Sequence, residues 1–227
     1  MKRIKYKVKI SAIILSIIVV LCGCNLFVTD KDKFYIDETI DDCISEIDIE
    51  KAGKDIVIPN TVGDTTVRKI DFADPYYSKI DSLDVSKVKE LESFRLNLFD
   101  DKNKSKLKDL DFSKNKILRD IVIGQTKALK NIKFNNECEY IYLKGTSIKR
   151  VNLKNLKELE SFIYRDGPIE ELDVSKNSNL ESIKIADTNI KKLDVSHNPK
   201  LKYILIDEGI EVVGPTNAHI EYNKKTE

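Results

Sequence analysis

The stretch that constrains the fold most is residues 172–206, LDVSKNSNLESIKIADTNIKKLDVSHNPKLKYILI, in which apolar residues return after 21 positions. Leu172 and Val174, for example, recur as Leu193 and Val195. A repeat of this length indicates a solenoid, in which each coil buries its apolar edge only against neighbouring coils. The sequence therefore predicts a stack of similar coils.

Pairs of the form apolar-x-apolar extend this pattern upstream. Successive pairs lie 9 to 11 residues apart, with a single step of 16. Each repeat thus has two halves, and the alternation predicts a short strand in both. We expect a β-rich solenoid, a leucine-rich-repeat right-handed coil of short parallel strands with about six 21-residue repeats plus caps. The pairs are Leu83/Val85, Phe94/Leu96, Leu110/Phe112, Ile121/Ile123, Ile132/Phe134, Ile141/Leu143, Val151/Leu153, Phe162/Tyr164, Leu172/Val174, Ile183/Ile185, Leu193/Val195 and Ile204/Ile206.

The two halves differ in their motifs. The first reads LDVSKN, as at residues 172–177, and the second reads I-x-I-x-x-T-x-I, as at residues 183–190. The second half matches the leucine-rich-repeat consensus L-x-x-L-x-L-x-x-N-x-L, with Thr in the Asn position. Residues 82–210 resemble bacterial surface leucine-rich repeats of the LDVSKN type, and residues 56–72 resemble the entry segment of BspA-like leucine-rich repeats. This resemblance implies a surface protein that binds a protein or a host-matrix component.

The N-terminal residues predict export. Five basic residues precede an apolar run at residues 10–21, and residues 1–24 contain no acid. This is the layout of a signal peptide. The run is shorter than the roughly 20 residues of a spanning helix, so a permanent membrane anchor, the alternative, requires residues 25–28 to join it.

The end of this segment, Leu21-Cys22-Gly23-Cys24, resembles the lipobox of bacterial lipoproteins. The resemblance implies that residues 1–23 are a lipoprotein signal peptide, and that the thiol of Cys24 carries the lipid, with a palmitate-type chain. Two or more acyl chains anchor a protein stably. We therefore expect a protein on the outer face of the bacterial cell membrane, with the membrane as one partner.

The remaining chain divides into four parts: a tether at residues 24–33, an N-terminal cap and first coil at 34–81, the repeat array at 82–210, and a C-terminal cap and tail at 211–227. The long step places residues 100–106 (DDKNKSK) in a solvated loop. Cys43 and Cys138 lie 95 residues apart, and only neighbouring coils of a solenoid touch. Two free or buried thiols are expected, with a disulfide as the alternative.

Charge and motifs exclude several functions. The 39 basic and 38 acidic residues leave a net charge of +1, which offers no field for nucleic acid. The sequence contains no Gly-rich phosphate loop and no metal-spaced Cys/His cluster. We predict a monomeric protein that is not an enzyme, with no cofactor, no metal site and no catalytic residue. His197 is interpreted as a surface substitution.

The first half carries a row of aspartates at its outward position. Such a row could bind a cation or sugar hydroxyls. The simpler interpretation is a solvated face, because Lys133 and Asn152 interrupt the row, and the neighbouring serines then satisfy turn amides. The row consists of Asp84, Asp111, Asp173 and Asp194.

The outward positions of the second half, with their flanks, combine aliphatic, tyrosine and basic side chains. This composition is typical of protein-binding surfaces, although a further layer could cover them. We predict a lipid-anchored protein that binds a protein or host-matrix partner; the alternatives are a structural or cell-wall glycan-binding envelope protein, and an accessory subunit of an exported enzyme. The candidate residues are Arg95, Val122, Tyr140, Tyr142, Ile163, Arg165, Lys184, Tyr203 and Leu205.

Overall fold

The computed structural model describes residues 29–37, 39–72, 79–97 and 105–224, with 18 short strands and one helical turn of α type. The predicted signal peptide, Cys24 and most of the predicted loop lie outside these residues. A 3-10 turn (Lys31–Lys33) precedes the strands, and helix α1 (Ile49–Ala52) follows β2. The strands are β1 (Phe34–Ile36), β2 (Cys43–Ile47), β3 (Asp55–Val57), β4 (Thr61–Val62), β5 (Thr65–Thr66), β6 (Lys69–Phe72), β7 (Ser82–Asp84), β8 (Ser93–Asn97), β9 (Asp109–Asp111), β10 (Asp120–Gly124), β11 (Asn131–Lys133), β12 (Tyr140–Lys144), β13 (Ser161–Arg165), β14 (Ser182–Ala186), β15 (Lys192–Asp194), β16 (Tyr203–Asp207), β17 (Glu211–Val213) and β18 (His219–Asn223).

A ten-stranded sheet, called the main sheet below, runs the length of the stack. Its order is β1-β2-β6-β8-β10-β12-β13-β14-β16-β18, and its pairs are parallel apart from antiparallel β1–β2. The first residues of β12, β13, β14 and β16 follow one another at intervals of 21. This geometry confirms the β-rich solenoid, since one strand per coil pairs with its counterpart in the next coil.

The main sheet consists of the second halves of the repeats, and the first halves form shorter strand pairs. These are β3–β7, β9–β11 and β15–β17, together with a single bridge between Arg150 and Glu171. Both halves are thus extended, as predicted. The longer, continuous pairing belongs to the Ile-x-Ile half.

The core lies between these two sets of strands. The predicted apolar pairs point inward and join one cluster, which includes Phe94, Leu96, Phe162 and Tyr164, all with 0% exposure. Phe94 meets Phe112 of the opposite half edge-to-face, with ring centroids 4.9 Å apart. Alternation along each strand therefore places every second side chain in the core.

A ladder of asparagines ties successive coils together at the first-half turn. The Asn177 side-chain amide donates to the carbonyls of Leu153 (2.9 Å) and Leu156 (2.7 Å) in the preceding coil. Asn198 donates in the same way to Val174 (2.9 Å) and to Asn177 (2.8 Å). Asn115 and Asn135 make equivalent pairs of bonds. Because these amides are buried, they satisfy turn carbonyls that water does not reach.

The first coil contains a short hairpin. Strand β3 leads to a hairpin of β4 and β5, in which Gly63 adopts φ +58°, and β6 then joins the main sheet. A positive φ in this tight turn suits glycine, which has no Cβ to clash.

Two segments are more tightly held than the sequence suggested. Thr29, inside the predicted tether, donates its amide to the Val57 carbonyl (3.2 Å), and its hydroxyl accepts from the Val57 amide (2.9 Å). The ordered domain therefore includes residues 29–33. Ser105, inside the predicted solvated loop, is buried and donates to the Ile80 carbonyl at 2.7 Å; its hydroxyl also accepts from the Leu107 amide, so the end of that loop packs onto the domain.

In the described part of the chain, no helix is both long and apolar enough to span a membrane.

Candidate functional site

Six of the nine candidate residues form one continuous row on the outward face of the main sheet. Val122 lies opposite Arg95 on one side and Tyr142 on the other, and the same register continues to Ile163. Strand alternation puts this row on the side away from the core. We call the full set the central row; it consists of Asp71, Arg95, Val122, Tyr142, Ile163, Lys184, Leu205 and Glu221.

The other three candidates flank this row on the same face. Tyr140 and Tyr203 occupy the position two residues earlier in their strands, in register with Ser161 and Ser182 between them. Arg165 occupies the position two residues later, between Lys144 and Ala186. All nine predicted residues therefore share one face.

Exposure varies along the central row. Val122, Tyr142 and Leu205 are half-buried, and Arg95 is exposed. Ile163 occupies an outward position, as predicted, but it is only 8% exposed. It lies between the longer side chains of Tyr142 and Lys184, and neighbouring strands are close enough (about 4.8 Å) for such side chains to cover it. Ile163 is thus part of the packed floor of the face.

A group of contacts around Tyr203 organises the C-terminal end of the face. The Lys184 ammonium lies 5.2 Å from the centroid of the Tyr203 ring, within cation–π range. The Tyr203 hydroxyl donates to the Glu221 carboxylate, and this bond is the main reason why the pKa of Tyr203 is raised. The His219 ring stacks on Tyr203 with centroids 6.0 Å apart and planes at 26°. One phenol therefore orders three charged or polar neighbours.

An ion pair stands at the opposite end. Arg95 Nη1 lies 3.0 Å from Asp71 Oδ2. Asp71 and Glu221, the acidic ends of the row, are residues of this face that the sequence analysis missed. The same signal marks both, because each is the x residue of an apolar-x-apolar pair, in Ile70-Asp71-Phe72 and Ile220-Glu221-Tyr222.

Partial burial also changes the pKa of Tyr140, near the middle of the face. Burial raises the pKa of Tyr140, and the nearby Tyr142 and Asp120 raise it further. The phenol stays neutral and partly desolvated at neutral pH. Such a side chain offers both an apolar ring and a hydrogen-bonding hydroxyl to a partner.

The aspartate row of the first half has a structural role. Asp173 accepts the backbone amide of Ser175 at 3.0 Å, and Asp194 accepts that of Ser196 at 2.9 Å. Hydrogen bonds from the serine hydroxyl and amide lower the pKa of both carboxyl groups. Asp84 and Asp111 bond their turns in the same way, as does Asn152. The four aspartates are exposed, which supports the interpretation of the row as a solvated face, but the carboxylates accept the turn amides that the sequence analysis assigned to the serines.

The two described cysteines are free and buried. Burial raises the pKa of the Cys43 thiol to about 11 and that of the Cys138 thiol to about 12. Both thiols are therefore protonated at neutral pH, which makes them poor nucleophiles and poor metal ligands. Across the described ranges, no group of three His, Cys, Asp or Glu side chains could hold a metal ion.

Comparison with known proteins does not assign the chain to a family. No family profile matches it, and no curated protein matches it. A solved structure that it resembles is the functional domain of InlJ from Listeria monocytogenes, which is described as including a cysteine ladder. The identity is 19% and the TM-score is 0.43, with 65% of this chain and 32% of that chain covered. This chain spans about a third of the length of the InlJ domain. The resemblances to the lipobox and to BspA-like repeats remain predictions.

Proposed function

We propose that the protein binds a protein partner through the outward face of the main sheet, and that a lipid on Cys24 holds it at the outer face of the bacterial membrane. The observation that carries the proposal is the register of the central row. It sets Val122 and Tyr142 side by side, continues through the Ile163 floor and past Lys184, and reaches Leu205 next to Glu221 at the end of the row.

The central part of the face suits protein recognition energetically. Val122, Tyr142 and Leu205 are already half-buried against neighbouring strands, so a partner would restrict few additional rotamers. Burial of their remaining apolar surface contributes roughly 25 cal/mol per Å². Tyrosine is also among the residues that contribute most to protein interfaces.

The charged ends of the row complete this pattern. Asp71 and Arg95 form an ion pair at one end, and Lys184 and Glu221 meet Tyr203 at the other. An apolar centre with a polar rim is the usual anatomy of a protein interface. Charged rims orient a partner and speed its association more than they add affinity.

The membrane anchor is the less direct part of the proposal. It is supported by the lipobox-like Leu21-Cys22-Gly23-Cys24 and the preceding basic and apolar segments. Since the ordered domain already includes Thr29, the segment from Cys24 to Thr29 reaches at most about 18 Å at roughly 3.5 Å per residue. The domain would therefore sit close to the membrane surface.

The face is tested by a triple substitution, Val122→Ser, Tyr142→Ser and Leu205→Ser. Ile163 is left intact because it is buried. Binding of the full chain would be measured against immobilised host-matrix proteins and against purified cell-wall polysaccharide. The matched control is Ile117→Ser, which removes an apolar side chain 39% exposed in a first-half turn.

We expect protein binding to fall at least tenfold in the triple variant, with a cooperative melting transition that shows the chain still folds, and to persist in the Ile117→Ser control. Equal binding by the triple variant would exclude this face. Binding to polysaccharide alone would favour the glycan-binding envelope function instead.

The anchor has its own test. Cys24→Ala should move the protein out of the membrane fraction. The protein with the native sequence should carry the mass of the attached acyl chains. If Cys24→Ala leaves the protein in the membrane fraction at its normal mass, the lipoprotein assignment is wrong, whatever the result for the face.

A further inference from the structure

The last strand of the main sheet, β18, has an open edge among the described residues. The His219 amide donates to the Lys202 carbonyl at 2.9 Å, and the Glu208 amide donates to the Asn223 carbonyl at 3.2 Å. In a parallel pair, alternate residues direct both backbone groups to the same neighbour. The odd-numbered residues of β18 thus bond β16, and the N–H and C=O groups of Ile220 and Tyr222 point away from it.

The apolar core is also open at this end. Ile220 lies opposite Ile204, and Tyr222 opposite Ile206, so both continue the inward rows of the core. Ile204 and Ile206 are fully buried, whereas Tyr222 is 52% exposed. An edge strand with free backbone groups and apolar side chains is a template for another strand.

In place of the monomer predicted from the sequence, we propose that a second copy of this chain covers this end, with β18 of each copy pairing antiparallel around a twofold axis at Ile220. The same strand edge meets itself, which is the arrangement of an isologous dimer. The inference concerns a surface distinct from the central part of the proposed partner-binding face.

The side chains of β18 select the register of this pairing. With the axis at Ile220, Ile220 of one copy lies opposite Ile220 of the other. The Ile220 amide of each copy then donates to the Ile220 carbonyl of the other copy. His219 then lies opposite Glu221 of the second copy, and the small Ala218 lies opposite Tyr222. Each contact occurs twice because of the twofold symmetry.

The neighbouring registers are less favourable. Pairing Ile220 with Tyr222 satisfies the backbone at least as well, because the Ala218 amide already donates to Thr216 Oγ1 at 3.1 Å. It sets Glu221 opposite Glu221, however, and like charges directly opposite each other destabilise a strand pair. Pairing Tyr222 with itself sets the apolar Ile220 opposite Lys224. Only the register centred on Ile220 combines apolar contact in the core with an imidazole–carboxylate pair on the outward face.

Both members of that pair are already positioned. His219 stacks on the Tyr203 ring, and Glu221 accepts a hydrogen bond from the Tyr203 hydroxyl. Tyr203 thus holds both side chains on the outward face. Side chains ordered beforehand lose less entropy on association. The twofold axis runs perpendicular to the sheet, so the two central rows would lie on the same side of one continuous sheet.

A charge exchange tests the pairing in the full chain, purified in a nonionic detergent. Glu221→Lys would replace the carboxylate opposite His219 with an ammonium group at both contacts, and we expect it to raise the dimer dissociation constant about tenfold. The double variant His219→Glu/Glu221→Lys sets opposite charges across the same contact and should restore the dimer. Both variants lose the Tyr203 bond to Glu221, so the rescue isolates the contact between copies.

Sedimentation velocity over a range of protein concentrations measures these constants. The proposal predicts a dimer for the unmodified chain, its loss in Glu221→Lys and its return in the double variant. A chain that stays monomeric at every concentration, a chain that forms open-ended larger assemblies, or a double variant that does not recover would each overturn the proposal.

Disulfide cross-linking tests the register. A mixture of His219→Cys and Glu221→Cys chains should give a mixed dimer linked between positions 219 and 221, identified by mass spectrometry of the linked peptides. Glu221→Cys alone should not link to itself, because the two copies of position 221 would lie about 8 Å apart, beyond disulfide reach. A link between two copies of position 221 would contradict the proposed register.

Discussion

The hydroxyl of Tyr164 occupies the space that a side chain at Gly167 would need. A Cβ on Gly167 would lie 2.9 Å from both Cε1 and Cζ of the Tyr164 ring. Tyr164 Oη donates to the Ile148 carbonyl at 2.6 Å and lies 3.4 Å from Thr146 Oγ1. In sister coils a smaller aliphatic residue is followed three positions later by threonine, as in Leu143 and Thr146. In this coil, the larger side chain of Tyr164 therefore fills the space that threonine fills in the sister coils, and Gly167 leaves that space open.

The first prediction follows from this exchange. Gly167→Ala should lower the free energy of unfolding by about 1–3 kcal/mol, because the added methyl group overpacks the core against Tyr164. The double variant Tyr164→Leu/Gly167→Thr recreates the sister-coil arrangement. It should lose less stability than the sum of its two single variants, which urea unfolding of all three would measure. Additive losses would show that the two positions are independent.

The second prediction concerns the asparagine ladder. Asn177→Ala removes two hydrogen bonds and leaves the buried Leu153 and Leu156 carbonyls with only their turn donors, the amides of Leu156 (3.0 Å) and Leu159 (3.3 Å). We expect a loss of about 1–3 kcal/mol in unfolding free energy. The matched control is Asn179→Ala, whose exposed bond to the Lys157 carbonyl (3.0 Å) can be replaced by water. Equal losses in denaturant titrations of the two variants would contradict the structural importance of the ladder.

The third prediction is a dependence of stability on acid. The pKa values of Asp173 and Asp194 are lowered in the folded state by bonds from Ser175 and Ser196. A group whose pKa falls on folding contributes stability above its unfolded pKa, and loses that contribution as the pH falls through the folded value. The unmodified chain should lose stability below about pH 4.

A comparison with asparagine isolates these two carboxylates. Asp173→Asn/Asp194→Asn keeps the turn acceptors, as Asn152 does naturally, but removes the titrating groups. Unfolding free energies at about pH 7 and about pH 3 should differ less in this variant than in the unmodified chain. An identical acid dependence would show that other groups control it.

The fourth prediction concerns thiol reactivity. Cys43 and Cys138 are buried, with pKa values of about 11 and about 12, so neither should react with iodoacetamide in the folded protein at about pH 8. Both should react once the chain is unfolded in guanidinium. Peptide-level mass spectrometry distinguishes them from the N-terminal cysteines. Rapid labelling of either residue in the native protein would contradict its burial.

Several features of the candidate face could be predicted because they follow from strand alternation. The side chain between two inward residues must point outward, which places Arg95, Tyr142 and Lys184 on one face. The degree of exposure did not follow, since it depends on neighbours in other coils. Ile163 is buried for this reason, although its local pattern equals that of Val122.

The inward pattern, the 21-residue coil and the extended character of both halves follow from local periodicity, because each coil packs only on its neighbours. Contacts between coils, which the sequence pattern does not show, set which half builds the continuous sheet and which residues meet across it. Turn lengths vary, with 27 residues between the starts of β8 and β10 and 16 between those of β16 and β18. The contact of Tyr203 with Lys184, His219 and Glu221 therefore depends on how the turns align the strands, which no local pattern encodes.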